Sequence, residues 1–180
     1  MADTLTVTDD TEFENNPSLA ARQPEFDPGT GLEPEAYAEV AEALGHVLAD
    51  TYQLFIKTQG VHWNIAGASF YGFHILTQKQ YEDMYEAIDL IAERIRGLGK
   101  RAPASYRTYG ELSRITDEDE ALDAGQQAAM LMRDNGLVCE SLREALEIAE
   151  DHDDIVTADL LTRRLGEHEK NVWMLRMQIA

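Results

Sequence analysis

The sequence predicts an all-α protein: a four-helix bundle with a long crossover between helices 2 and 3, the crossover carrying a short extra helix. Three observations lead there. Apolar residues recur at helical spacing over four long stretches, only a short turn follows the first, and a link of about twenty residues follows the second. With 180 residues and 44% hydrophobic content, the chain suits one domain with a buried core.

Residues 1–32 read as an acidic tail, mobile or laid along a neighbouring surface, and 33–180 as the bundle domain. Asn15-Asn16-Pro17-Ser18 and Asp27-Pro28-Gly29-Thr30-Gly31 are turn chemistry, with no helical period between them. The first helix runs from Pro34, a favourable first-turn residue, to about Asn64. Its stripe includes Tyr37, Val40, Ala41, Leu44, Val47, Leu48, Tyr52, Phe55 and Ile56, with His46 beside it as a packing or surface residue. Gly67-Ala68-Ser69 makes a turn, with Ser69 the expected N-cap of a second helix that ends at Gly97 and Gly99. That helix buries Phe73, Leu76, Met84, Ile88, Ile91 and Ile95. Pro103 opens the crossover, and Tyr106 to Arg114 is its short helix. Thr116-Asp117-Glu118-Asp119 resembles the cap of the third helix, which runs to about Ala149 and buries Leu122, Ala128, Leu131, Leu142 and Leu146. An acidic elbow, Glu150-Asp151-His152-Asp153-Asp154, precedes a last helix from Ile155 to about Met177. So long a crossover makes helices 2 and 3 parallel, and this architecture is that of a ferritin-like bundle.

Charge excludes some partners. The net charge is −19, from 34 acids and 15 bases, and the four lysines are Lys57, Lys79, Lys100 and Lys170. Through residue 36 there are nine acids and one base, Arg22. Such a chain repels duplex phosphate and repels itself at low salt. Acid-rich, lysine-poor composition is what a high-salt cytoplasm favours, since salt screens the repulsion; an acidic protein that attracts cations is the rival explanation. No apolar run approaches a membrane span, and the first residues lack a basic, apolar signal, so a cytoplasmic location is expected. The single cysteine, Cys139, reads as a small buried apolar residue.

The candidate chemistry lies between His62 and Glu93. From His74 one face of helix 2 reads Gln78, Glu82, Glu86, Asp89, Glu93 in steps of three or four. Asp89 and Glu93 alone would be a solvated face; with His62 and His74 they make a metal-site candidate. Yet fifteen residues separate His74 from Asp89, roughly 22 Å along a helix. One chain cannot close that gap. In an antiparallel pair of second helices, His74 faces the region of Asp89 and Glu93 when the midpoint falls near residue 82 or 83, and the span 69–97 centres on 83. A two-fold dimer would therefore form the site twice. Imidazole and carboxylate suit ferrous iron, and carboxylates favour the ferric product; zinc competes for the same donors.

The run His62-Trp63-Asn64-Ile65-Ala66-Gly67-Ala68-Ser69-Phe70-Tyr71-Gly72-Phe73-His74, followed by Asp89-Leu90-Ile91-Ala92-Glu93-Arg94, resembles the signature of the Dps proteins, or mini-ferritins. The resemblance extends over nearly the whole chain after the tail. It implies a shell of twelve four-helix subunits with ferroxidase sites across two-fold interfaces. There His62 and His74 come from one chain and Asp89 and Glu93 from its partner. Ferrous iron is oxidised, usually by hydrogen peroxide, and stored as ferric oxide. Trp63 resembles a tryptophan that absorbs stray radical equivalents; as an interface anchor it is read equally well.

Two departures stand out. Many members have an aspartate where this chain has Gln78, which weakens a second iron position; Glu82 or Glu86 could compensate or could nucleate mineral. The tail is acidic where DNA-binding members carry lysines. The elbow acids, Asp154 and Asp159 above their neighbours, are expected to line a three-fold pore for iron; His152 is a transient-ligand candidate there and His168 another on the inner wall, but both read better as ordinary surface or packing residues. The expected function is thus a ferroxidase and iron store that removes ferrous iron and peroxide together. A nucleoid-compacting protein with little iron chemistry is the alternative, and the acidic charge weighs against it.

Overall fold

In a computed structural model, residues 25–118 and 121–180 are described. They form α1 (Pro34–Asn64), α2 (Phe70–Gly97), α3 (Tyr106–Leu112), α4 (Ala124–Asp151) and α5 (Ile155–Arg176), and no strand occurs among them. The predicted fold class holds. The turns expected at 15–18 lie outside the described residues.

Cross-helix pairs fix the directions. His62 stacks on His74 and Phe55 meets Tyr81, so α1 and α2 are antiparallel. Asp50 accepts from Ser141, and Lys57 pairs with Asp134, so α1 and α4 are antiparallel too. Asp83 binds Arg164 while Arg94 binds Thr157, which sets α2 against α5 in the same sense. Helices α2 and α4 therefore run parallel, as the long crossover demands. Asp50 also holds that crossover in place, accepting from the Ser113 hydroxyl at 2.8 Å and the Arg114 backbone at 2.7 Å. The core between the helices contains Leu44, Leu48, Leu54, Phe73, Met84, Ile91, Ile95, Leu131, Leu142, Leu161 and Leu175, all fully buried. Leu76 and Ile88 pack at its margin.

Several boundaries differ from expectation. Helix α4 begins at Ala124, not after 116–119. Asp123 and Gln126 satisfy both halves of a capping box, whereas the Thr116 carbonyl accepts from Lys57. Residue 119 of the expected cap is outside the described residues. Ser69 occupies the position before α2 but caps nothing with its side chain; Gly67, at φ 95, makes the turn instead. The short helix ends at Leu112, where Ser113 turns extended.

The tail boundary also moves. Residues 25–32 lie along the bundle. The Phe26 N–H donates to Gly99 O at 3.3 Å, the Arg96 guanidinium lies over the Phe26 ring, and Lys100 pairs with Glu25 at 2.5 Å. The Tyr37 hydroxyl accepts from the Thr30 and Leu32 N–H groups and pins the rest. No described helix is long and apolar enough to cross a membrane.

Candidate metal-binding site

His62 lies in the last turn of α1 and His74 near the start of α2, so a five-residue connection folds one against the other. Their rings stack with centroids 3.7 Å apart and 17° between planes. His62 Nδ1 lies 2.9 Å from the His74 carbonyl oxygen, and His74 Nδ1 lies 2.8 Å from that of His62. A carbonyl can only accept, so each Nδ1 carries the proton and donates. Both Nε2 lone pairs are thereby left free, the tautomer a metal needs. Phe70 stacks on His74 at 5.1 Å, Tyr81 meets His62 edge-on at 5.1 Å, and Thr77 donates to the His74 carbonyl as well. These three supports were not singled out in the sequence. Thr77 and Tyr81 stand one and two turns after His74 on α2, which is the signal that could have found them.

The acids lie elsewhere. Asp89 and Glu93 are exposed farther along α2 and form no hydrogen bond or ion pair among the described residues. Among those residues no three His, Cys, Asp or Glu side chains of one chain come together to hold a metal ion. Gln78 donates to Glu82 at 2.7 Å. Glu82 and Glu86 line a shallow groove with Phe55, Gln59, Tyr81 and Tyr85. The same side of the subunit exposes large apolar groups: Trp63, Phe70, Tyr71, Tyr85 and Leu90, with Trp63 66% accessible.

Three elbow assignments change. Asp154 is buried, and both its oxygens receive Arg94 at 2.7 Å while the side chain caps α5 through Thr157. Burial alone would raise its pKa, but the bonds from Arg94 and Thr157 outweigh that and hold it below the usual carboxylate value. It is a helix cap and ion-pair partner, with no lone pair turned to a pore. His168 lies in the core, not on an inner wall. Its Nδ1 bonds Asn135 Oδ1 at 2.9 Å, and desolvation, aided by Arg164, pushes its pKa down to about 3. His152 is engaged with Glu39. Asp159 stays exposed, paired with Arg163 at 2.8 Å. Cys139 is buried, and desolvation raises its thiol pKa.

Four long helices with antiparallel neighbours and a long crossover between two parallel ones, with a histidine pair presented at one surface, define a ferritin-like protein. The ferritin-like domain family matches residues 41–180. The chain is 34% identical to the DNA protection during starvation protein 2 of Bacillus anthracis over 138 residues, covering 77% of this chain and 94% of that one. Among solved structures, the Dps protein of Vibrio cholerae O1, described as a member of a superfamily of ferritin-like diiron-carboxylate proteins, superposes with a TM-score of 0.79. It is 30% identical, over 83% of this chain and 94% of that one. An archaeal Dps homologue from Halobacterium salinarum gives a TM-score of 0.82 at 27% identity, covering 89% of each. The chain belongs to the Dps family.

Proposed function

We propose that this protein oxidises ferrous iron and stores the ferric product, with each oxidation site shared by two subunits. The observation that carries the reading is the His62/His74 pair, stacked rings whose reciprocal Nδ1 bonds leave both Nε2 atoms available to a metal. Asp89 and Glu93, unpaired among the described residues, are the complementary oxygen donors of a two-fold partner. The exposed aromatic face around Trp63 and Tyr85 is the surface that such a partner covers. Helix α2, Phe70–Gly97, is centred where the antiparallel pairing needs it.

Iron is the substrate here. Each hydrogen peroxide takes two electrons, one from each of two ferrous ions, together with two protons and leaves as two water molecules, so no hydroxyl radical is released. The imidazoles bind ferrous iron, the carboxylates favour the ferric state, and Glu82 and Glu86 offer oxygen donors for mineral growth. Gln78, a neutral amide already bonded to Glu82, weakens a second iron position. Zinc is the competing metal. The full assembly is a dodecamer working in the cytoplasm, in iron homeostasis and oxidative stress, and the composition suits a halophile. Asp159 is the remaining candidate of the expected pore pair.

Hybrid assemblies test the shared site. Chains carrying His74→Ala mixed with chains carrying Asp89→Ala form interfaces with one intact site, so the mixture regains ferroxidase activity that neither variant shows alone. Hybrids no more active than the separate variants would refute sharing. The second reading, DNA compaction, is favoured only by the names of relatives. With net charge −19, duplex binding without bridging cations is not expected, and a gel shift over several salt concentrations decides it.

A further inference from the structure

At one level of the bundle each long helix buries an uncharged polar side chain: Thr58 on α1, Gln80 on α2, Asn135 on α4 and His168 on α5, none more than 4% exposed. The cross-helix pairs put them at one level. Lys57 and Asp134, which pair at 2.5 Å, each precede a member of the layer by one residue. His168 bonds Asn135 directly, and Arg164 with Asp83 lies one turn away from His168 and Gln80.

Half of this layer is satisfied by protein. Asn135 Nδ2 donates to the Leu131 carbonyl at 2.8 Å, which fixes the amide so that Oδ1 accepts from His168 Nδ1. The other half is not. Both amide atoms of Gln80 and the hydroxyl of Thr58 are buried without a partner. Thr51 and Thr77, on the same two helices, return their hydroxyls to the carbonyl four residues back at 2.7 and 2.9 Å. Thr58 does not, so its hydroxyl faces away from its own backbone. Native interiors rarely leave such groups unpaired, and where protein supplies no partner, ordered water does. Helices α2 and α5 approach less closely than α1 and α2 or α4 and α5, so side chains rather than backbones meet between them.

We propose that the bundle core holds a built water site, in which ordered water satisfies the Gln80 amide and the Thr58 hydroxyl beside His168. Water fits the donor set and a divalent cation does not. The members of the layer are uncharged, and the nearest carboxylates, Asp83 and Asp134, are already paired with Arg164 and Lys57. A cation there would be buried without compensating charge. Helix bundles with an internal metal centre direct carboxylates and Glu-x-x-His pairs into the space between their helices. This chain fills that space with neutral groups and solvent, which keeps iron out of the bundle and leaves it to sites at the surface. The inference stands independently of the shared-site reading.

A crystal structure of the assembled protein, from crystals soaked in Mn(II), tests it. The expected result is water density at about 2.7–3.2 Å from the Gln80 amide, with no anomalous peak there. A dry core in which Gln80 and Thr58 bond to protein groups overturns the proposal, and so does a manganese peak at the layer. Gln80→Met supplies a second measurement. In a wet core the nearly isosteric substitution strands the water on Thr58, the denaturation midpoint falls, and adding Thr58→Val recovers part of the loss. In a dry core whose Gln80 amide has no partner at all, it removes an orphaned amide, and the midpoint rises. A rise with Gln80→Met alone overturns the proposal.

Discussion

Each imidazole of the His62/His74 pair is oriented by the other residue's backbone, so a substitution of either ring leaves both carbonyl acceptors in place. His62→Ala and His74→Ala should therefore fold and assemble, yet bind ferrous iron or zinc more than about tenfold more weakly, since loss of even an orienting contact at a metal site costs 10–100-fold. Titration calorimetry on the apo protein reads this directly; unchanged affinity in either variant would place the site elsewhere. His168 gives a pH prediction of definite sign. Its pKa falls from 6.5 to about 3 on folding, so between these values the unfolded chain binds a proton that the native chain refuses. Stability from this residue is full above pH 6.5 and falls as the pH drops toward 3, with a slope of about 1.4 kcal/mol per pH unit. Denaturant titrations of the wild type and His168→Gln should differ in slope across that window; parallel curves would mean His168 is protonated in the native core. The spacing that made His62 and His74 visible in the sequence had no counterpart for His168. Thr157, Leu161, Arg164, His168, Asn171 and Leu175 form the buried stripe of α5, but four of these six are polar, so hydropathy hides the period.

At the scale of elements, helix lengths were legible because the apolar stripes are long, and helix ends were legible only where chemistry and geometry agree. Pro34 starts α1 as read. The cap of α4 was misplaced because two acidic candidates lie close together, and only Asp123 has a glutamine three residues on that reaches back. The elbow shows why an acidic run does not reveal its own inside. Asp153 adopts φ 56, and that left-handed residue turns Asp154 inward to Arg94 while its neighbours stay exposed. Asp154→Asn should thus destabilise the subunit by about 3 kcal/mol, the low end for breaking a buried pair, because Arg94 loses its counter-charge and α5 keeps a weaker cap. The lowered pKa of Asp154 means that its contribution is present above the ordinary carboxylate value and is lost as the pH falls through the native value. A wild-type midpoint matched by Asp154→Asn near neutral pH would contradict this. Gly99 makes a sharper local test. It sits at φ 79, and a Cβ there would come within 2.1 Å of Phe26 O. Gly99→Ala should release residues 25–32 from the end of α2, detected as faster amide exchange at Phe26 and Leu32 with the bundle core unchanged; full protection in that segment would show that the backbone contact is not what holds it.

At the scale of the molecule, two properties oppose each other. Trp63, Tyr71 and Tyr85 are exposed on the α1–α2 side, where an isolated subunit would leave a large apolar surface in water. Covering that surface with a second copy is favourable, but each copy carries a net charge of −19. Association therefore brings like charge together, and the balance depends on screening. The Debye length falls from about 30 Å at 0.01 M salt to about 3 Å at 1 M, so repulsion between subunits is felt across the interface at the first concentration and is almost absent at the second. Apolar attraction is not weakened by the same change. The expected result is dissociation toward smaller species at low ionic strength and complete assembly at high ionic strength, with thermal stability rising in parallel. Potassium and sodium chloride should act alike, because the effect is screening and not a specific ion site. Sedimentation velocity across this salt range, on the wild type and on Tyr85→Glu, measures both terms. The substitution adds a charge and removes apolar area in the proposed contact, so the assembly transition should move to higher salt. A species distribution independent of salt would show that charge does not control assembly, and a transition unmoved by Tyr85→Glu would show that the copies meet through another face.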